Sequence, residues 1–149
     1  MKLTASQMTG LGAGALVYCK ATSKILLALR SEHCDAPNTW CCFGGGVERG
    51  ETIEQGIVRE FKEEFSVNLS APLYPLYVNV ICDEDGRPVF EYRNYLAIVD
   101  QPFSGKLNNE HSDWGWFSGR DLPQPLHPEF KKALASLPAQ ALLTSLKGM

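Results

Sequence analysis

Glu63 and Glu64 lie three and four positions after Glu60. On a helix at about 100° per residue, with Glu60 at zero, Glu63 falls near −60° and Glu64 near +40°, so the three carboxylates share an arc of about 100°. Ile57, Val58, Phe61 and Phe65 fill the adjoining arc and make it apolar. Such a helix packs one side on a core and carries a carboxylate stripe along the core's border. On an open surface each like-charged pair costs only about 0.2–0.5 kcal/mol, so the stripe alone also admits a solvated acidic face. In a cleft of effective dielectric ~20, two such charges ~6 Å apart repel by about 3 kcal/mol. A divalent cation removes that repulsion. Mg²⁺ takes hard oxygen ligands in octahedral geometry and leaves places for water or substrate phosphates, which suits carboxylates on a rigid helix.

These residues need a helix over about Ile53–Phe65, and the flanking sequence supplies one. Thr52 and Gln55 form a capping box, and Glu51 and Glu54 place negative charge at the positive end of the helix dipole. Gly56 falls among the glutamates at a cost of about 1 kcal/mol relative to Ala, and reads either as room for a close neighbour or as a tolerated glycine. Gly44-Gly45-Gly46 follow a short strand, Trp40–Phe43, and bring the backbone close to whatever the helix holds. Gly14–Lys20 and Lys24–Arg30 read as two strands with a tight turn, and 74–82 and 89–99 as a hairpin across Asp83–Pro88. Trp114–Phe117 reads as a last strand. Leu126–Leu137 reads as an amphipathic helix, with a continuation from Gln140 after the break at Pro138. Strands outnumber helices, which predicts one α/β domain over 1–149 with a mixed sheet between helices.

The chain has 149 residues and a net charge of −3, with no run of lysines and arginines. That disfavours a grip on long nucleic acid and leaves a small anionic substrate, with a metal ion supplying the positive charge. Five cysteines, at 19, 34, 41, 42 and 82, form no CxxC pair and read as reduced thiols of a cytoplasmic protein. Leu11–Tyr18 is short and glycine-rich and reads as a first strand rather than a signal peptide, and no segment is long enough to span a membrane.

From Gly45 the chain runs GGVERGETIEQGIVREFKEEFSV. This resembles the Nudix box, G-x5-E-x7-R-E-U-x-E-E-x-G-U, where U is a large apolar residue. Gly45, Glu51, Arg59, Glu60, Phe61, Glu63, Glu64 and Val67 fall at its fixed places, and Ser66 stands where the family has glycine. Outside the box the likeness is looser. Trp40 and Gly44-Gly45 fit a Trp-x-x-Pro-Gly-Gly segment with Phe43 in place of proline, and Glu110, Trp116-Phe117 and Asp121-Leu122-Pro123 resemble a downstream family segment.

The resemblance implies the Nudix α/β/α sandwich and hydrolysis of a phosphoanhydride in a nucleoside diphosphate linked to another moiety, with Mg²⁺ or Mn²⁺. It implies Glu60, Glu63 and Glu64 as metal ligands with the carbonyl of Gly45. Arg59 and Glu51 would hold loop and helix in register, and Glu110 would be a further ligand or the general base. Arg30, Trp40, Gly44 and Gly46 are the candidates for substrate contact, with Tyr92, Trp114 and Trp116 as further aromatic or packing residues. Nucleoside triphosphates, nucleotide sugars, ADP-ribose and dinucleoside polyphosphates all remain open as substrates, as does a homodimer. The coenzyme A pyrophosphatase subgroup is disfavoured, because Ala36 occupies its expected arginine position. The alternative is a Nudix-fold module that binds or senses a nucleotide with little catalysis. Ser66 replaces a glycine that would end the helix in the left-handed region, so the turn is expected to pass to Asn68.

Overall fold

The computed structural model describes residues 10–136, and the helix expected from Gln140 lies outside them. Its elements run β1 (Gly10–Cys19), β2 (Lys24–Arg30), β3 (Trp40–Cys41), β4 (Gly44–Gly46), α1 (Ile53–Phe65), β5 (Leu73–Cys82), β6 (Pro88–Val99), β7 (His111–Ser118) and α2 (Pro128–Leu134). β1 is the organising strand. One edge runs parallel to β6 over its whole length; the other meets β2 at Tyr18–Cys19 and β4 at Gly12–Gly14, both antiparallel. β5 extends the sheet antiparallel to β6, while β3 and β7 pair with β2.

β1, the middle of β2 (25–29) and the last part of β6 (95–99) are apolar on both faces because each face is covered there. Side chains alternate along a strand, so Ala13, Ala15 and Val17 of β1 join Leu26, Ala28, Tyr95 and Ala97 in the cluster that receives Ile57, Phe61 and Phe65 of α1. Leu16 and Tyr18 join Ile25, Leu27 and Leu96 on the opposite face, under Phe130 of α2. The result is the expected mixed sheet between helices.

Several expectations shift at the ends of elements. β1 starts at Gly10 rather than Gly14, and β7 at His111 rather than Trp114. The expected strand through Phe43 stops at Cys41, and the three glycines form β4 by pairing with β1. α2 is shorter than expected, with Pro128 after the capping residue His127.

α1 carries the capping box: Gln55 N–H donates to Thr52 Oγ1 over 3.1 Å and Thr52 N–H to Gln55 Oε1 over 2.8 Å. The expectation for Asn68 fails. Ser66 itself takes the left-handed turn (φ 61°, ψ 28°), donating its N–H to Lys62 O. The neighbouring carbonyls explain why the helix ends there: Lys106 N–H donates to Phe65 O and Asn108 N–H to Glu64 O, so the incoming loop fixes the stop. Ser66→Gly is therefore expected to raise stability by about 1 kcal/mol in thermal denaturation, the left-handed penalty outweighing the loss of the exposed Ser66 Oγ–Lys106 O hydrogen bond.

Candidate functional site

The three box glutamates part company according to their angle from the core. Glu64, nearest the apolar arc, is buried at 3 % exposure, Glu60 is half-buried, and Glu63, farthest round, is exposed. Glu64 Oε1 accepts the Gly44 N–H over 2.9 Å, which fixes the carboxylate beneath β4. A carboxylate oxygen of Glu110 joins those of Glu60 and Glu64, all lying within 4.8 Å of one another. Burial, then the Glu110 charge, push Glu64 up to about 9, and burial also raises Glu60.

Glu63 stands outside this group. Arg59 Nη1 holds it at 3.3 Å, an i, i+4 ion pair on the solvent side of the helix. The even stripe expected from the sequence is thus divided by the core, with Glu110 taking the third place. Arg59 also donates through Nη2 to Gly46 O over 2.8 Å and to Glu51 Oε1 over 2.7 Å, and through Nη1 to Glu60 Oε1 over 3.0 Å. Glu51 accepts the Glu48 N–H as well, so β4, the following loop and α1 are tied through one guanidinium. These hydrogen bonds, Arg59's first, hold the Glu51 carboxyl below its ordinary range.

Two glycines are explained by what a side chain would strike. A Cβ at Gly56 would lie 3.0 Å from Glu51 Oε1, the close neighbour expected there. At Gly45 it would lie 2.6–2.8 Å from the Glu60 carboxylate. Gly45→Ala is therefore expected to leave stability within about 1 kcal/mol, because a carboxylate end is free to swing, yet to lower kcat/KM about 10–100-fold by moving Glu60 out of the cluster. Steady-state kinetics and thermal denaturation on one preparation check both halves.

Glu110 reaches the cluster because its loop is fastened at both ends. Its own N–H donates to Asn108 Oδ1, and its carbonyl accepts the Ser31 N–H over 2.9 Å. The next residue, His111, was not singled out in the sequence. It is 6 % exposed, packs edge-on to Phe43 at 5.0 Å, and sets Nδ1 3.5 Å from Glu64 Oε2 without a hydrogen bond. Burial, then the Arg30 charge, lower it to about 4, so it is neutral. A lone histidine at a strand start gave no sequence signal for this contact.

A cleft of about 500 Å³ opens beside the cluster, on the α2 face of the sheet. Gly44, Gly45 and Gly46 border it, as do Arg30 and Tyr92. Arg30 is itself held by the loop that follows it, Nη2 lying 2.7 Å from Asp35 Oδ1. Trp40, expected at the substrate, is not part of the cleft wall: it packs edge-on to Phe117 at 5.1 Å and fills the α2-side core. Trp114 and Trp116 belong to the α1-side core, against Phe65 and Phe103. Phe43 is likewise a core residue, stacked on Phe65 at 4.7 Å. The cysteines are free thiols, as expected, and Cys41 and Cys42 both border the cleft, Cys41 buried and Cys42 half-buried. Among the described residues, no helix is long and apolar enough to cross a membrane.

Residues 8–137 match the NUDIX domain. A nucleoside triphosphatase, NudI of Escherichia coli O139:H28, is 34% identical over 95 residues, 58% of this chain and 66% of that protein, so just under two thirds of its length is spanned. A MutT NUDIX hydrolase from Burkholderia pseudomallei superposes with a TM-score of 0.72 at 28% identity, covering 86% of this chain and 97% of the other. The NUDIX domain of Shewanella oneidensis NrtR, solved with ADP ribose, shares the fold with a TM-score of 0.72 at 22% identity, over 95% of this chain and 90% of the other. With the box folded as one loop–helix unit and the domain matched across all the described residues, this protein belongs to the Nudix hydrolase family.

Proposed function

We propose that this chain hydrolyses a phosphoanhydride bond in a nucleoside diphosphate linked to another moiety, with Mg²⁺ as its cation and Mn²⁺ as a substitute. The observation that carries the proposal is the group of Glu60, Glu64 and Glu110, with ligand oxygens within 4.8 Å of one another. Burial and mutual repulsion already hold Glu64 protonated to about 9, so the arrangement is unfavourable without a positive partner. The donor set is all carboxylate oxygen, which fits Mg²⁺, and Gly45 leaves the space beside Glu60 that a side chain would fill.

Glu60, Glu64 and Glu110 would hold the cation, with the Gly45 carbonyl as a further ligand, and Glu63 would exchange Arg59 for the cation as charge arrives. A cation there would neutralise phosphate charge and make the attacking water more acidic. The chain's own residues do the rest. Arg59 and Glu51 keep β4 and α1 in register, Arg30 and the Gly44–Gly46 backbone face the anionic substrate, and a glutamate of the cluster, Glu110 being the most exposed, takes the proton from the attacking water. The relatives named above include a nucleoside triphosphatase, which supports a nucleotide substrate here; the intact acidic cluster favours catalysis over a binding-only module.

Incubating nucleoside triphosphates, nucleotide sugars, ADP-ribose and dinucleoside polyphosphates with Mg²⁺ or Mn²⁺, followed by product identification, tests this. Turnover of at least one, abolished by chelation, is expected. No turnover of any, with Glu63→Gln binding the same nucleotides as tightly as wild type, would overturn the hydrolase reading. Reaction in ¹⁸O-labelled water identifies the phosphorus attacked.

A further inference from the structure

β1 carries glycines at 10, 12 and 14, a period of two that strips one face of the strand of side chains over half its length. Alternation places them on the same face as Leu16 and Tyr18, the α2 side, where the cleft lies. Two aromatic rings of the parallel neighbour β6 take the vacated space. A Cβ at Gly10 would lie 2.7 Å from ring atoms of Phe90, and one at Gly12 2.9 Å from both Phe90 and Tyr92. A Cβ at Gly14 or Gly44 would strike the Tyr92 hydroxyl. Phe90 and Tyr92 therefore lean across the glycine strip from β6 toward β4 and floor the cleft with aromatic surface.

The far wall of the cleft is a polar network with a one-sided inventory. Asn79, 3 % exposed, donates Nδ2 to Glu129 O over 3.1 Å and to Glu129 Oε2 over 3.0 Å. Its Oδ1 accepts from Asn94 Nδ2 over 2.7 Å, and Asn94 Nδ2 donates also to Tyr77 O over 3.0 Å. Both amide orientations are fixed by chemistry, since a carbonyl or carboxylate partner accepts only from the nitrogen. Both N–H bonds of each amide are thereby engaged. What remains for a ligand is acceptor oxygen: Asn94 Oδ1 and the open lone pairs of the Glu129 carboxylate, which Lys132 holds from its other side at 3.2 Å. One donor stands beside them. His127 Nδ1 accepts the Glu129 N–H over 3.1 Å, so the neutral ring carries its proton on Nε2.

A planar ring on this floor must present donors to that wall. Guanine offers N1–H and the 2-amino group side by side, matching a carboxylate's two oxygens, with O6 next to them for a donor. Adenine and cytosine place a ring acceptor beside their amino group, and uracil flanks its single N–H with two carbonyls. Wall and glycine border are three strand spacings apart, about 14 Å across the sheet, room for a nucleoside and its first phosphates.

We infer that the cleft selects a guanine nucleotide, stacking the base on Phe90 and Tyr92 and reading its donor edge with Glu129 and Asn94. The inference rests on the nucleotide reading above and names the base for it.

The test is calorimetric binding of the α,β-methylene analogues of GTP, ATP, CTP and UTP to the full chain with Mg²⁺. These analogues resist cleavage at the methylene, so affinity is read whether or not the protein is an active enzyme. The guanosine analogue is expected to bind at least tenfold more tightly than the other three. In Glu129→Gln that preference should fall below threefold with the uridine analogue unchanged; the amide oxygen still accepts from Asn79, so the fold is kept, as a thermal melt verifies. Equal affinity for all four bases, no measurable binding of any, a preference for uridine, or a uniform loss in Glu129→Gln each overturns the inference. Selective binding of the guanosine analogue with no turnover of any nucleotide in the panel above would sink the hydrolase reading alone, and hydrolysis without base preference would sink only the choice of base.

Discussion

Glu64→Gln is expected to lower kcat/KM by about 10³-fold or more and to abolish tight Mn²⁺ binding, with the fold retained. Glu64 is the member of the cluster that cannot be replaced by movement of a neighbour. It is buried, its Oε1 is fixed by the Gly44 N–H, and its other oxygen faces His111 Nδ1. A glutamine preserves the shape and the acceptor for Gly44 but supplies no negative charge. Losing a ligand that anchors the cation removes on the order of 4 kcal/mol of transition-state stabilisation, which corresponds to about three decades in rate. Glu63→Gln should fall less far, because Glu63 sits on Arg59 and joins the cluster only by rotating. Manganese titration by electron paramagnetic resonance, run beside the kinetics, separates lost metal from lost chemistry. Equal kcat/KM for Glu64→Gln and wild type would remove Glu64 from the site.

The second large effect is on stability, and its sign follows from the same carboxylate. In the metal-free fold Glu64 stays protonated to about 9, because burial first and the Glu110 charge second oppose ionisation. In the unfolded chain it ionises near its ordinary value of about 4.3. Between those values the unfolded state has lost a proton that the folded state keeps. Stability from this group is therefore full at low pH and falls as pH rises toward 9. His111 acts in the other direction and over a lower range. Its folded value of about 4 lies below the ordinary 6.5, so its contribution is lost as pH drops from about 6.5 to 4. Without metal, the melting temperature should thus decline from pH 7 to pH 9 in wild type, with most of that slope removed in Glu64→Gln. A cation that binds the ionised carboxylate reverses the decline, so millimolar Mg²⁺ should raise the wild-type melting temperature more at pH 8.5 than at pH 6.5. Differential scanning fluorimetry at the two pH values, with EDTA and with Mg²⁺, reads this directly. A stabilisation by Mg²⁺ that is the same at both pH values would contradict it.

The box itself was legible because its determinants are local. Helix bounds, capping box, the acidic residues and the need for space at Gly56 are set by residues within a few positions of one another, and α1 spans Ile53–Phe65 as read. The strands were legible where a period of two or a continuous apolar run marks them, and their ends were not, since an edge such as Gly10 or His111 is set by a partner strand. The same limit explains Ser66. Sequence alone makes a left-handed serine unfavourable, while the backbone of 106–108 fastening onto Phe65 O and Glu64 O leaves the helix no further turn.

Spacing along one helix was enough to identify the family and the helix that carries the glutamates, because it fixes relative angles; metal-assisted chemistry is what that family leads one to expect. Which carboxylates meet was settled by the packing of distant segments. It buried Glu64, left Glu63 on Arg59, and brought Glu110 to Glu64 across 46 residues of chain by fastening a loop to the end of α1 and to Ser31. It also gave the glycines of β1 their partners and spent the amide donors of Asn79 and Asn94, leaving a wall of acceptors. The physical reason is the same in each case: desolvation and hydrogen-bond satisfaction depend on groups distant in sequence, and no local pattern records them.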